Sequence, residues 1–266
     1  MSATNSTGSR SGRRGRVRFM ISVAGAAMLA VAAAPPAANA DTSAACSVVT
    51  TNQTGTHDGY FYAFWKDTGD ATLTLGPGGS YSTRWSGINN WFAGKGWAVG
   101  GRRTFTYHGT FHPDGNSYLA LYGYTTNPYV EYYILENWGT YRPTGTYLGT
   151  LYSEGSVYEI HRVRRIGTPG TMPYDQFFSI RLQKRSSGTI NTGDHFDAWA
   201  RVGMHLGTDM GYMIMATEGY HSSGWSNITV NGITPAPPHC AAAAQSGVPV
   251  PVRQIRARIG VSPNEE

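Results

Sequence analysis

From Gly59 to Val230 the chain is a succession of short runs rich in Tyr, Thr, Val, Phe and Trp, broken at close intervals by glycine. Examples are GYFYAFW at 59–65, GSYSTRW at 79–85, NSYLALYGYT at 116–125, VEYYILENW at 130–138 and NITV at 227–230. β-branched and aromatic side chains fit a pleated, half-buried surface, and glycine supplies the backbone freedom that tight turns need. The pattern therefore predicts an all-β body, a sandwich or barrel of many short strands. One stretch has a different period. In DHFDAWARVGMHL at 194–206, Phe196, Trp199, Ala200 and Gly203 fall on one helical stripe, with Thr192 or Asp194 placed to cap its start. A single helix on a β-body is expected. The lack of alternating strands and helices argues against a Rossmann fold or a TIM barrel.

The flanks read differently. Arg10, Arg13, Arg14, Arg16 and Arg18 precede an apolar run from about Phe19 to Ala34, and Ala-Asn-Ala closes the segment at 38–40. That is the layout of a secretory signal peptide cleaved after Ala40. The alternative, a membrane anchor, needs about 20 apolar residues, and this run is shorter. Arg13-Arg14 only partly matches a twin-arginine signal, so the export route stays open. Residues 41–56 are small and polar and read as an N-terminal arm, 57–234 as the globular domain, and 235–266 as a proline-rich linker with a basic tail. Five of the 21 Lys and Arg lie in the export segment, which leaves 16 against 16 acidic residues. Basicity thus gives no argument for a nucleic-acid partner. The mature form is expected to be secreted, free of the membrane and monomeric. Cys46 and Cys240 bracket nearly the whole body, and export makes a disulfide between them possible; unpaired thiols fit the same two positions.

Most carboxylates stand where solvation is easy, as at Asp67 and Asp70 around Gly69, Asp114 beside Gly115 and Glu154 beside Gly155. Glu131 and Glu218 do not. Strand alternation puts Tyr129, Glu131 and Tyr133 on one face, and Tyr212, Ile214, Ala216 and Glu218 on another. A carboxylate among aromatic and apolar groups is costly unless it is paired or hydrogen-bonded. Either glutamate alone reads equally well as a hydrogen-bonded structural acid. Two together in a tyrosine-rich exported chain suit glycoside hydrolysis, in which one carboxyl attacks and another protonates the leaving oxygen. The histidines include His108 and His112, but no matching Cys or carboxylate set accompanies them. Neither a metal nor a cofactor is expected.

The strings GKGW at 94–97, LYGYTTNPYVEYYILENWGTYRPTG at 121–145, SGTINTGDHFDAWARVGM at 187–204 and ATEGYHSSG at 216–224 closely resemble the family-11 xylanases, in that family's order and spacing. The resemblance implies a β-jelly-roll of two strongly curved antiparallel sheets with one helix, and internal cleavage of β-1,4-xylan with retention. Xylan and xylo-oligosaccharides are the implied partners. It makes Glu131 the nucleophile and Glu218 the general acid/base, with Tyr122 and Tyr133 lining the nucleophile's subsite. Trp65, Gln176 and Tyr212 match sugar-contacting positions, and Arg162 matches an arginine near the nucleophile. For retention the two carboxyls should stand about 5 to 5.5 Å apart.

The chain departs from the family at three places. Where the family carries Asn or Asp touching the acid/base, the match here is Gly87, with Asn89 or Asn90 as the nearest amides. The thumb hairpin reads RRIGTPGTMPYD at 164–175 in place of a Pro-Ser-Ile tip. Tyr129 stands where the family usually has a smaller aliphatic residue, which adds bulk beside Glu131. Two other readings share the β-body: a non-catalytic carbohydrate-binding sandwich, which has no use for the glutamate pair, and a related glycanase acting on glucans.

Overall fold

The computed structural model describes residues 46–166 and 172–231. The export segment, the 235–266 tail, Cys240 and the 167–171 tip of the expected thumb lie outside the described residues. Cys46 is disulfide-bonded.

The alternating runs become twelve strands: β1 (Ser47–Val49), β2 (Gln53–His57), β3 (Tyr60–Lys66), β4 (Asp70–Leu75), β5 (Ser80–Trp97), β6 (Thr104–Thr126), β7 (Val130–Trp138), β8 (Thr146–Ser153), β9 (Ser156–Arg165), β10 (Tyr174–Arg181), β11 (Gly188–Asn191) and β12 (Asp209–Val230). One helix, α1 (Thr192–Arg201), separates the last two. Part of the segment expected to be a polar arm is thus sheet: β1 pairs with β4 and β2 with β3.

Three strands, β5, β6 and β12, are far longer than the sequence runs suggest, because each passes through two layers. The first half of β5 pairs with β4 and its second half with β3. Similarly, β12 pairs with β6 from Asp209 to Val230 and with β5 from Met213 to Thr229, with register shifts between Met210 and Met213 and between Tyr220 and Gly224. Gly87 (φ +52), Gly115 (φ +101) and His221 (φ +45) cluster at this bend, where bulges re-aim the strands. The second layer continues from β6 through β7, β10 and β9 to β8. One pair departs from the antiparallel expectation. β10 runs parallel to β7, because the β8–β9 hairpin intervenes in sequence and β10 slots between that hairpin and β7.

Side-chain parity divides the second layer into two faces. Leu119, Leu121, Tyr132, Ile134, Met213 and Met215 join Leu73, Leu75 and Tyr81 of the first layer in the larger apolar cluster. Alternate residues, Tyr118, Ala120, Tyr122, Tyr133, Leu135, Tyr212 and Ile214, form a second cluster on the opposite face. α1 lays Phe196 and Trp199 on Tyr132, with ring centroids 5.3 and 6.0 Å away. Its cap is Asn191, whose side chain accepts from Gly193 N at 3.1 Å, and not Thr192 or Asp194. Thr192 Oγ1 instead donates to Gly101 O at 2.9 Å. The helix stops at Arg201 and buries Thr192, His195, Phe196 and Trp199, so Ala200 and Gly203 of the expected stripe are exposed.

A third buried carboxylate escaped the sequence reading. Glu136 is fully buried and takes hydrogen bonds from Tyr107 Oη (2.7 Å) and Tyr158 Oη (2.6 Å) and an ion pair from Arg185. It has the parity of Tyr132 and Ile134, which points it into the interlayer core and away from the second cluster.

Candidate active site

The cluster on the outer face of the second layer carries the two glutamates. Glu131 is 3 % exposed and Glu218 4 %. On strand β7 the alternation Glu131, Tyr133, Leu135 faces this cluster, and on β12 so does Tyr212, Ile214, Ala216, Glu218. In register, Glu131 is opposite Tyr124 and Glu218 opposite Tyr118 on the intervening β6. On a flat sheet six residues of offset would be about 20 Å. Yet the charge of Glu131 acts on Glu218, and Tyr133 feels both. Twist and curvature of the sheet bring residues of offset register closer than a flat sheet would, which accounts for that coupling.

Their environments differ. Glu131 Oε1 accepts from Tyr129 Oη at 2.9 Å and Tyr122 Oη at 3.3 Å, and Oε2 accepts from Gln176 Nε2 at 2.7 Å. Burial pushes the Glu131 carboxyl above its usual range, and these donors together with the Arg165 charge pull it back. Glu218 is pushed well above that range, first by burial and then by the negative charge of Glu131, with Arg165 opposing. When one proton is shared by the pair, it therefore resides on Glu218. Glu131 is thus the more readily ionised and the more heavily hydrogen-bonded of the two, and Glu218 the one that holds its proton to higher pH. That is the division of labour an attacking group and a proton donor require.

Other expected contacts distribute as follows. Tyr133 stacks on Phe178 at 4.7 Å and meets Tyr122 at 5.0 Å. Tyr212 stands edge-on to Tyr124 at 5.1 Å. Trp65 is half-buried on the cleft side of β3 and stacks with Phe92 at 6.2 Å. Gln176 is fully buried and holds the Glu131 carboxylate, while its Oε1 accepts from Arg165 Nε at 2.8 Å.

Arg162 is not in this group. It is exposed, with the parity of Tyr158 and Ile160, whose side chains enter the interlayer core. Arg165, three residues later, shares the face of Val163, which packs on the cleft cluster, and is the arginine whose charge reaches both glutamates. Strand parity from Val163 would have found it. The expectation for Gly87 also fails. Gly87 is exposed at the sheet bend, and its N–H donates to Ser223 Oγ at 3.1 Å. Glu218 instead pairs with Phe92, and the polar cleft-facing residue nearest on β5 is Asn90, 5 % exposed. Asn89 turns to Asp67.

Residues 57–229 match the sequence profile of Glycosyl hydrolases family 11, and the chain belongs to that family. It is 50 % identical over 191 residues to Ethylene-inducing xylanase 1 of Botryotinia fuckeliana, covering 70 % of this chain and 68 % of the relative. It is 53 % identical over 188 residues to Endo-1,4-beta-xylanase 11A of Humicola insolens, covering 68 % of this chain and 85 % of that protein. Endo-1,4-beta-xylanase 11B of the same organism is 50 % identical over 189 residues, 69 % of this chain and 65 % of the relative.

Proposed function

We propose that this chain is a secreted endo-1,4-β-xylanase that hydrolyses internal xylosidic bonds with net retention, using Glu131 as nucleophile and Glu218 as acid/base. The xylanase activity rests on family membership and on relatives at about half identity. The roles are supported by one observation above the rest: two buried, electrostatically coupled glutamates differ in their hydrogen-bond support. Glu131 has three hydrogen-bond donors, and the Glu218 carboxyl is pushed well above its usual range by burial and by its neighbour's charge.

In the first step the Glu131 carboxylate attacks the anomeric carbon, and Glu218 gives its proton to the departing glycosidic oxygen. Forming the glycosyl ester removes the Glu131 charge, which lowers the affinity of Glu218 for a proton. Glu218 can then accept a proton from the incoming water and act as general base. Gln176 and Arg165 keep Glu131 oriented. Tyr122, Tyr133, Tyr212 and Trp65 offer ring faces and hydroxyls to the sugar chain. Secretion is supported by the basic, apolar and small-residue zones of residues 1–40.

The test is product stereochemistry. Proton NMR of xylo-oligosaccharide hydrolysis should show the β-anomer first, with the α-anomer appearing only by mutarotation. An initial α-product would contradict retention. Hydrolysis of carboxymethyl cellulose in preference to xylan would favour the glucan reading.

A further inference from the structure

Tyr129 lies two residues before Glu131, and its phenol is spent on that carboxylate. Its Oη lies 2.9 Å from Glu131 Oε1, nearer than Tyr122 Oη at 3.3 Å on the same oxygen. The ring is fixed from two sides. It meets Tyr174 of β10 edge-on at 5.2 Å and Tyr124 of β6 at 5.8 Å, so the hydroxyl is aimed by packing. We propose that Tyr129 is a positioning residue that holds Oε1 of the nucleophile and sets the acidic limit of the reaction, an inference that rests on the roles given above to Glu131 and Glu218.

A donor to a carboxylate favours its ionised form, so Tyr129 keeps Glu131 charged, and able to attack, at lower pH than Tyr122 and Gln176 alone would allow. The Tyr129 phenol is pushed upward by burial and by the Glu131 charge, so it remains a donor throughout the acidic and neutral range. The other groups facing Glu131 are Tyr122 from β6, Glu218 and Tyr212 from β12, Arg165 from β9 and Tyr174 from β10, with Tyr133 on its own strand. Among them Arg165, Tyr122 and Tyr174 also favour the charged form, and Glu218 is the carboxyl whose proton is held more tightly while Glu131 is charged. Removing the Tyr129 hydroxyl leaves this set intact, so the change is confined to one donor.

Tyr129→Phe removes the hydroxyl and keeps the ring; Tyr129→Leu removes both. With 13C-labelled glutamate carboxyls, the lower of the two cleft titrations should rise by about one pH unit in both variants. The acid limb of kcat/KM on soluble xylan should move up by the same amount. The alkaline limb, governed by Glu218, should move less. Leu and Phe should differ in KM, because only Leu removes the ring. An unchanged lower titration and an unchanged acid limb in folded Tyr129→Phe would overturn the proposal. A parent that hydrolyses no xylan would overturn the reaction assigned to the cleft, while the titration would still decide whether Tyr129 holds Glu131.

Discussion

Two glutamates of the same chemistry differ in their affinity for a proton because their neighbours differ. Glu131 is ringed by donors, and Glu218 is raised by burial and by Glu131 itself. Replacing Glu131 by Gln removes a negative charge while keeping the shape. The titration of Glu218 in Glu131→Gln should therefore fall to lower pH, as read from its carboxyl 13C shift. A Glu218 titration that stays in place would mean that burial alone sets it and that the carboxyls are not coupled. At this scale the sequence was partly legible. Both glutamates stood out because strand alternation surrounded them with tyrosines. Arg165 did not, and Asn90 entered only as one of two amides near Gly87, because in each case an offset of three residues is invisible without counting strand parity. Tyr129 was read as bulk, since a hydrogen bond across one strand pleat leaves no trace in composition.

The long strands are the elements that build the cleft, and they depend on small residues where layers approach. Gly123 on β6 lies opposite Tyr132 on β7, and a Cβ added there would sit 2.3 Å from Tyr132 Oη. Tyr132 is also the ring on which α1 rests. Gly123→Ala should therefore displace Tyr132 and loosen the helix, costing about 1 to 3 kcal/mol. Thermal unfolding should show a fall of about 2 to 4 °C for each kcal/mol lost; an unchanged midpoint would mean the ring moves freely. Strand existence was readable from the β-prone runs and their glycine breaks. Strand length was not, because the residues at the bend of β5, β6 and β12 look like ordinary turns, and only tertiary pairing shows that the strands run through. The helix was found by its period, while its cap was misplaced because Thr192 is engaged by Gly101 and Arg103 and leaves capping to Asn191.

The whole molecule carries a stability cost for its site. The Glu218 carboxyl is raised in the folded state above the value of about 4.3 that it has in an unfolded chain. Below that value both states are protonated and no penalty arises. As pH rises toward the raised folded value, the unfolded chain releases the proton first and stability is lost. Glu218→Gln has no such proton. Its melting temperature should match the parent near pH 4 and exceed it increasingly toward pH 7. A variant less stable than the parent at neutral pH would contradict this. The architecture as a whole, two curved layers with one helix, followed from the run pattern and from the four long motifs. The parallel β7–β10 pair did not, since it depends on where the β8–β9 hairpin folds back.

The most direct test of the central claim is reducing-sugar release from β-1,4-xylan by the mature protein beside Glu131→Gln and Glu218→Gln. The account predicts turnover by the parent and its loss in both variants, with each variant still folded and still binding xylo-oligosaccharides. Turnover retained in either folded variant, or a folded parent that binds xylo-oligosaccharides and releases nothing, would contradict it.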